Sequence, residues 1–294
     1  MTTLGDGELL VRVRAGGLNR ADLLELKYSK DGVKGRELAG EVIAVGAGVH
    51  GWKIGDRVMG RGEGFTAEAV LPARFAMAVP ESFSWEEAGG LPVALMTMHD
   101  AVVTHGRLAV GERVLVHAAT SGVGVAAVQI AAMFGASTVF ATSRTAEKIT
   151  VLERHLGPLP CDLVAIDTAN ADFETVATKI DVIVDNVGAS VAVGNIKASA
   201  LKGRIVQVGR LGGKDATIDL DELARKRIEL IGVTFRTRTE DEVAEIVRLA
   251  IADCGAQLEK VRPRIERTYP LSELSEAFAD LAANRHVGKL VVVQ

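Results

Sequence analysis

The sequence predicts an α/β protein of two domains, in which a doubly wound parallel sheet is inserted into a β-rich domain. Short β-branched segments alternate with helical segments over residues 110–235, as in a doubly wound sheet. Strands with closely spaced glycines precede this region, and a strand–helix–strand segment, 263–294, follows it. The length of 294 residues also favours two cores over one. We therefore predict one domain of residues 1–95 and 239–294 and an inserted domain of residues 96–238.

The first domain begins with an alternating strand at 8–15, which has Leu9, Val11 and Val13 on its apolar face. Gly16 and Gly17 are expected to end this strand, and Asn19 to cap the short helix that follows. Further strands are predicted at 37–45, 56–59 and 65–72. Ser84 with Glu87 and Thr239 with Glu242 are capping-box pairs, each of which predicts a helix N-terminus.

The inserted domain is organised around a strand, a tight turn, a helix and a second strand. The strands are predicted at 114–117 and 137–141, and the almost wholly apolar segment 123–134 is predicted to be a buried helix. Gly135 stands where a helix C-terminus favours a residue with positive φ.

The turn before this helix is a candidate phosphate-binding site. Ala119, Ser121 and Gly124 occupy the three positions of the Gly-x-Gly-x-x-Gly fingerprint, so only the last glycine is kept. The turn nevertheless follows a strand and opens a helix, as the fingerprint requires. We expect Ser121, Gly122, Val123 and Gly124 to bind the pyrophosphate of a dinucleotide at the helix N-terminus. The alternative is a tight turn without a ligand.

The end of the second strand favours NADP(H) over NAD(H). Arg144 lies twenty residues after Gly124, beside Ser143 and one helical turn before Lys148, and residues 137–146 contain no Asp or Glu. A ribose 2′-hydroxyl requires an acidic residue there, whereas a 2′-phosphate requires arginine. We expect Ser143, Arg144 and Lys148 to bind the 2′-phosphate. A solvated Arg and Lys at the start of a surface helix is the alternative.

Further strands of the sheet are predicted at 163–167, 182–185, 205–208 and 230–235. Ligands of doubly wound sheets bind at the carboxyl ends of the strands. The residues at these ends are therefore candidates for cofactor binding: Asn186, Val208, Gly209, Arg210, Phe235 and Arg236. For the last two residues, an edge loop with solvated side chains is an equally good interpretation.

Charge and composition exclude several function classes. The net charge is −4 and no basic block is present, so nucleic acid is not an expected partner. No apolar run reaches the ~18 residues of a membrane-spanning helix, and the N-terminus lacks the pattern of a signal peptide. A cytoplasmic protein with two ordinary thiols, Cys161 and Cys254, is expected.

Several segments then follow one another in the order of a known family: 17–22 (GLNRAD), 37–42 (ELAGEV), 55–58 (GDRV), 116–124, 181–188, 203–206 (GRIV), 270–272 and 288–289. Each is a weak motif alone, but their order is specific. Together they make the chain resemble the zinc-independent medium-chain dehydrogenases/reductases, of the quinone oxidoreductase and enoyl reductase type.

The resemblance implies a GroES-like β-barrel catalytic domain plus an inserted Rossmann domain that binds NADP(H). It implies NADPH-dependent hydride transfer to a small-molecule substrate, a quinone or an α,β-unsaturated carbonyl such as an enone or enoyl thioester. A homodimer, often joined through the edges of the nucleotide-domain sheets, is also implied. A non-catalytic NADPH-binding protein of the same fold is the alternative.

The resemblance also indicates two catalytic candidates. Asn19 is expected beside the nicotinamide, and Tyr28 is the nearest equivalent of a tyrosine that donates a proton near the reacting bond in several enoyl reductases. Tyr28 follows Asn19 by nine residues, however, and the segment 22–35 is short by the family pattern. An exposed amphipathic ring for Tyr28 and a plain helix cap for Asn19 are the alternatives.

No metal is expected. Zinc-dependent relatives place a Cys where Leu18 and Asn19 stand here, and a His where this chain has Arg36. A catalytic zinc needs three protein ligands in one pocket. The six histidines and two cysteines of this chain are scattered without such a spacing.

Overall fold

The computed structural model describes residues 4–28 and 32–294. The chain forms two compact units, a first unit of Met1–Met96 with Thr239–Gln294 and an inserted unit of Thr97–Arg238. The domain limits predicted from the sequence differ from these by one residue.

The elements are numbered in chain order. The strands are β1 Glu8–Gly17, β2 Leu38–Val45, β3 Arg57–Gly60, β4 Glu68–Pro72, β5 Ala76–Ala78, β6 Arg113–Val116, β7 Thr138–Ser143, β8 Asp162–Asp167, β9 Ile180–Asp185, β10 Ser199–Gln207, β11 Glu229–Gly232, β12 Ile265–Pro270 and β13 Lys289–Val293. The helices are α1 Arg20–Tyr28, α2 Trp85–Gly90, α3 Pro92–His99, α4 Gly122–Met133, α5 Ala146–Leu156, α6 Phe173–Val176, α7 Ala192–Ala198, α8 Leu220–Lys226, α9 Glu240–Cys254 and α10 Leu274–Ala283.

The first unit is built on a sheet of order β12-β13-β1-β2-β3-β5, with β4 also paired to β1. Strand β1 can have β4 and β13 as separate neighbours because it is ten residues long: Glu8 to Arg12 pair with β4, and Ala15 to Gly17 pair with β13. Its apolar face is Leu9, Val11 and Val13, as predicted, and these side chains are at most 1% exposed.

The prediction that Gly16 and Gly17 end β1 is wrong. Both glycines remain in the strand and pair with Val292 and Val291 of β13. They are needed for close packing, because a Cβ on Gly16 would lie 2.5 Å from the backbone oxygen of Gly64. The glycine pair therefore marks a close approach of two backbones within the unit, and not the end of the strand.

A compact core lies between the sheet of the first unit and α10. Ala277, Phe278 and Leu281 of α10 are buried, and the rings of Phe65 and Phe278 meet edge to face at 5.9 Å. The two predicted capping boxes, at Ser84 and at Thr239, are both present. Strand β5 was not predicted, since three residues are too few for a periodic pattern.

The inserted unit is a parallel sheet of order β11-β10-β9-β6-β7-β8. The predicted doubly wound topology is therefore confirmed, and the strand order reverses between β6 and β9, which is the topological switch point. Helix α4 is buried from Gly124 to Ala132, and Gly135 after it has φ of 86°.

Strand β11 is shorter than the predicted 230–235. Val233 still donates its N–H to Gln207 O at 3.1 Å, but the chain then leaves the sheet. The guanidinium of Arg238 donates to Thr234 O at 3.2 Å and to the buried Asp100 Oδ2 at 2.7 Å. The first bond bends residues 234–238 back on themselves and the second holds Arg238 to Asp100, which a hydropathy pattern does not reveal.

None of the helices in residues 4–28 and 32–294 has both the length and the apolar character needed to cross a membrane.

Candidate functional site

The N-terminus of α4 is a tight turn held by hydrogen bonds between Ser121, Ala118 and Gly124. Ser121 is the N-cap: its Oγ accepts from Gly124 N at 3.1 Å and donates to Ala118 O at 2.8 Å. Ala118 has a left-handed φ of 50°. The amides of Gly122 and Val123, in the first helical turn, have no acceptor within the helix. This turn can therefore bind an anion at the positive end of the helix dipole.

Gly124 is the fingerprint glycine that the packing requires. A Cβ at this position would lie 2.3 Å from Ala118 O and 2.6 Å from the Cα of Ala119. The helix can lie against the end of β6 only without that atom. Ala119 and Ser121 can replace the other two glycines because neither has a positive φ, which falls on Ala118 instead.

The end of β7 brings Ser143 to this turn and leaves Arg144 exposed. Ser143 is 5% exposed, and its hydroxyl lies 3.2 Å from that of Thr120. Arg144 forms no hydrogen bond or ion pair with any residue that the structure describes. Lys148 is half-buried in the first turn of α5, which Thr145 caps through Lys148 N at 3.3 Å.

The ends of β9 and β10 meet beside the switch point. Asn186 is 6% exposed and donates through Nδ2 to His117 O at 3.0 Å, whereas its buried Oδ1 has no partner among the described residues. Val208 and Gly209 donate their amides to Asp185 O at 2.8 and 3.0 Å. A Cβ on Gly209 would lie 2.1 Å from Asn186 O, so these two loops also pack backbone to backbone.

The other candidates of the inserted unit are placed less closely. Arg210 and Arg236 are exposed, and Phe235 is half-buried with the guanidinium of Arg238 at 5.4 Å from its ring. The structure thus brings together 121–124, Ser143, Asn186 and 208–209 at one edge of the sheet. It records no contact of Phe235 or Arg236 with that group.

Sequence reasoning missed a set of buried polar residues behind the turn: His117, Thr142, Asp185 and Asn195. Burial lowers the pKa of His117 and raises the pKa of Asp185. A signal for three of them existed, because His117 follows β6 directly, Thr142 is the last residue but one of β7 and Asp185 ends β9. Asn195, on α7, carries no such signal.

In the first unit, the side chain of Asn19 is enclosed by its neighbours. Its Nδ2 donates to Glu37 Oε1 at 2.9 Å and to Gly17 O at 3.2 Å, and its Oδ1 accepts from Lys289 at 2.9 Å. The prediction that this side chain caps α1 is therefore wrong. A bond in the reverse direction is present, in which the Asp22 carboxylate accepts from the backbone N–H of Asn19 at 2.7 Å.

Glu37 and Lys289 form the buried centre of this cluster. Both are at most 4% exposed, and Lys289 Nζ contacts Glu37 Oε1 at 2.5 Å and Leu18 O at 3.0 Å. With the bond to Asn19, all three ammonium protons have an acceptor. The other carboxylate oxygen of Glu37 accepts from Val93 N at 2.7 Å.

Tyr28 lies in the last turn of α1 and is 73% exposed. It is the last residue before 29–31, which lie outside the described residues. Because α1 rises ~1.5 Å per residue, Tyr28 and Asn19 are roughly 13 Å apart along the helix. The two catalytic candidates therefore do not form one cluster through α1.

Within the described residues, no group of three or more His, Cys, Asp or Glu side chains could hold a metal ion. The absence of a catalytic metal stays a prediction.

The residues of the inserted unit fit a phosphorylated dinucleotide. The α4 turn presents amides without helical acceptors, Asn186 presents a buried acceptor without a partner, and Arg144 presents an unpaired cation. These are the groups that a pyrophosphate, a ribose hydroxyl and a 2′-phosphate would satisfy.

Two family models match the chain. The model for the alcohol dehydrogenase GroES-like domain matches residues 5–83, and the model for a zinc-binding dehydrogenase matches residues 159–292. The predicted fold class, a GroES-like domain with an inserted Rossmann sheet, is thereby confirmed.

Relatives of similar sequence cover nearly the whole chain. Polyketide synthase GfsB of Streptomyces halstedii is 33% identical over 98% of this chain, which corresponds to 5% of that protein. The synaptic vesicle membrane protein VAT-1 homolog of Mus musculus is 30% identical over 98% of this chain and 77% of its own length. The chain spans only 5%, 12% and 13% of the length of three polyketide synthases that it matches.

Solved structures share the fold over the full chain. A quinone oxidoreductase of Pseudomonas syringae pv. Tomato is 25% identical with a TM-score of 0.83, and covers 100% of this chain and 93% of its own. The mycobacterial protein Rv1454c, solved in complex with NADPH, is 26% identical with a TM-score of 0.80 over 99% and 92%. The fold is therefore shared over nearly the full length of both chains.

Proposed function

Since this chain belongs to the medium-chain dehydrogenase/reductase family, of the zinc-independent type, we propose that it is an NADPH-dependent oxidoreductase. Its proposed substrates are quinones or activated carbon–carbon double bonds, as in enones and enoyl thioesters. A quinone oxidoreductase and an NADPH complex among the similar structures support this reading.

One observation carries the choice of cofactor. Arg144, at the carboxyl end of β7, is exposed and has no acidic or other polar partner in the described parts of the chain. An NAD-binding site would place a carboxylate at this end of the strand. A planar guanidinium without a partner is instead suited to bidentate binding of the 2′-phosphate, with Lys148 as a second cation.

The other residues of the inserted unit bind and orient the cofactor. The amides of Gly122 and Val123 bind the pyrophosphate, and Asn186 Oδ1 accepts a hydrogen bond from a ribose hydroxyl. Residues 208–210 and 235–236 complete the binding surface in this proposal. The reduced nicotinamide, when bound, supplies the hydride.

Of the two catalytic candidates, we retain Tyr28 as a donor to the substrate oxygen on which negative charge collects. Its hydroxyl belongs to an exposed side chain. The role of Asn19 beside the nicotinamide stays a prediction. To contact the nicotinamide, its side-chain amide would have to give up its hydrogen bond to Glu37 or to Lys289.

The cofactor assignment is tested by the variant Arg144→Asp. We expect it to weaken NADPH binding by about 10- to 100-fold, because a charged hydrogen bond contributes roughly 1.5–3 kcal/mol, and to leave NADH binding nearly unchanged. Titration of the protein with NADPH and with NADH, followed by nucleotide fluorescence, measures the two dissociation constants. The control is Arg154→Asp, an exposed residue farther along α5. Equal weakening of NADPH and NADH by Arg144→Asp would contradict the 2′-phosphate assignment.

Activity is tested separately from binding. Oxidation of NADPH is followed by absorbance with a panel of quinones, enones and enoyl thioesters. Turnover with one class identifies the substrate class. Tight NADPH binding without turnover of any member would favour the alternative, a non-catalytic NADPH-binding protein of the same fold.

We also infer a homodimer joined through β11. This strand pairs only with β10 among the described strands, and Leu230 on it is 53% exposed. An open edge with an exposed apolar side chain favours pairing with a second copy.

A further inference from the structure

Four buried side chains behind the α4 turn form a chain of hydrogen bonds. His117 Nε2 lies 2.7 Å from Asn195 Oδ1, and Asn195 Nδ2 donates to Asp185 Oδ2 at 3.1 Å. At the other end, His117 Nδ1 lies 3.1 Å from Thr142 Oγ1, which accepts from Ala118 N at 3.3 Å. His117, Asn195 and Asp185 are at most 2% exposed, so bulk water does not reach these bonds.

The direction of every bond in this chain follows from Asp185. Its Oδ1 accepts from the amides of Val187 and Gly188 at 2.8 and 2.7 Å, which holds the carboxylate as an acceptor. Asn195 donates through Nδ2 to the other carboxylate oxygen, Oδ2, so its own Oδ1 faces His117. His117 must therefore carry its proton on Nε2, and its bare Nδ1 accepts from the hydroxyl of Thr142.

The hydroxyl of Thr142 therefore donates its proton to His117 Nδ1, and its oxygen accepts from the amide of Ala118. His117 also acts through its backbone, since its carbonyl accepts from Asn186 Nδ2 at 3.0 Å. The network thus contacts both Ala118, which has the left-handed conformation, and Asn186, whose Oδ1 lacks a partner.

Charged groups near the network are paired with one another and not with His117. On α6 and α7, Glu174 and Lys197 lie 3.6 Å apart, and on α8 Lys226 pairs with Glu222 at 3.1 Å. From α6, the ring of Phe173 meets the imidazole edge to face at 4.6 Å. Asp185 is therefore the one carboxyl group that the network contains, and burial keeps the pKa of His117 below its usual value.

We propose that Asp185, Asn195 and His117 are positioning residues of the cofactor site, which set the geometry of the α4 turn and of Asn186 for NADPH. This inference rests on the proposed NADPH binding. A neutral His117 with a proton on Nε2 keeps Ala118 and Ser121 at the spacing that the pyrophosphate needs, and keeps Asn186 Oδ1 directed to the ribose.

The first test reads the imidazole directly in the cofactor-free protein. Nitrogen NMR of histidine-labelled protein, with His117 assigned by comparison with His117→Gln, reports the tautomer. We expect a neutral ring protonated on Nε2 at neutral pH, since burial lowers the pKa of His117. A charged ring, or a proton on Nδ1, would overturn the inference without any bearing on whether NADPH binds.

The second test changes the one donor that faces Asp185. In Asn195→Asp, two carboxylates would lie side by side and share a proton, as like charges in contact cannot both ionise. While the proton is present, the O–H replaces the amide donor, and the affinity for NADPH is expected to lie within threefold of wild type. When the proton is lost on raising the pH, we expect the affinity to fall about 10-fold below wild type.

The control for this profile is Asn170→Asp. Asn170 donates to Asp167 at 2.7 Å in the same kind of pair, but it is exposed in the loop after β8. The affinity of this variant for NADPH, divided by that of the wild type, is expected not to change with pH. A constant ratio for Asn195→Asp as well, with intact binding by the wild type, would overturn this inference alone. No NADPH binding by the wild type would overturn the proposed function with it.

A third test uses two variants of Thr142, which joins His117 to Ala118, and introduces no new charge. Thr142→Val removes only the hydroxyl and leaves the shape, so we expect the dissociation constant of NADPH to rise about 5- to 10-fold. Thr142→Ser restores the hydroxyl and is expected to restore the affinity. Equal affinities of both variants would show that the hydroxyl has no positioning role, whatever their thermal stabilities.

Discussion

Asp22 shows how one carboxylate can be held in a fully buried position. It is 0% exposed, accepts from Asn19 N at 2.7 Å, and lies with Oδ1 at 3.0 Å from Arg36 Nε. Burial nevertheless outweighs these favourable contacts and raises the pKa of Asp22 to about 6 from 3.8. The folded state therefore binds this proton more tightly than the unfolded chain does.

The stability of the protein should depend on pH through this residue. Between about pH 4 and about pH 6 the folded state holds more protons than the unfolded state, so ionisation of Asp22 lowers stability as the pH rises. Asp22→Asn is neutral throughout. Relative to wild type, we expect the variant to gain about 3 kcal/mol across this window and no more above it.

Thermal unfolding of wild type and Asp22→Asn at several pH values measures this difference. Asp215→Asn, on an exposed segment, is the control for loss of one negative charge. A difference between wild type and Asp22→Asn that stays constant from acid to neutral pH would contradict the assignment of the raised pKa.

At the scale of elements, the α4 turn depends on backbone contact. Ser121 caps the helix and Ala118 takes the left-handed conformation, so the helix begins close to the end of β6. A non-glycine residue in this conformation is strained, which is common at ligand sites. The turn keeps its form because Ala118 O accepts both from Ser121 N at 2.9 Å and from its Oγ at 2.8 Å.

Gly124→Ala tests this contact. The added Cβ would lie 2.3 Å from Ala118 O and 2.6 Å from the Cα of Ala119. Because both of these are backbone atoms, the helix would have to move away from β6. We expect a loss of about 1–3 kcal/mol in stability and NADPH binding weakened at least 10-fold. Denaturant unfolding and nucleotide titration measure the two effects.

Gly255→Ala is the matched control, since a Cβ there would have no contact nearer than 3.8 Å. It should unfold and bind NADPH like the wild type. Unchanged binding in Gly124→Ala would mean that the nucleotide does not approach this turn.

For the whole molecule, the open edge at β11 carries the prediction of a dimer. Antiparallel pairing of two β11 strands would satisfy their outer backbone groups and cover Leu230. We expect a homodimer by light scattering, and Leu230→Lys should shift it to the monomer by placing a charge in the interface. Leu220→Lys, at a residue of α8 that is 70% exposed, should leave the dimer intact. A monomeric wild type would refute this arrangement.

The two units differ in how far sequence reasoning reached. In the inserted unit, strand–helix alternation predicted the parallel sheet, because each buried strand is short, β-branched and closed by turn residues. In the first unit, Gly16 and Gly17 misled the prediction, since a glycine that admits another backbone looks the same in sequence as one that ends a strand. The partners of Asn19 could not be predicted, because Lys289 lies far along the chain.

The sequence by itself determined what local pattern can encode: the alternating face of β1, the two capping boxes, the succession of strands and helices, and the positions of Gly124 and Arg144. The tertiary structure alone decided that His117, Thr142, Asp185 and Asn195 form one directed chain of hydrogen bonds, and that Asn186 Oδ1 is left without a partner. The physical reason is that these groups come from four separate elements, and hydrogen bonds between them exist only after the strands have paired and excluded water.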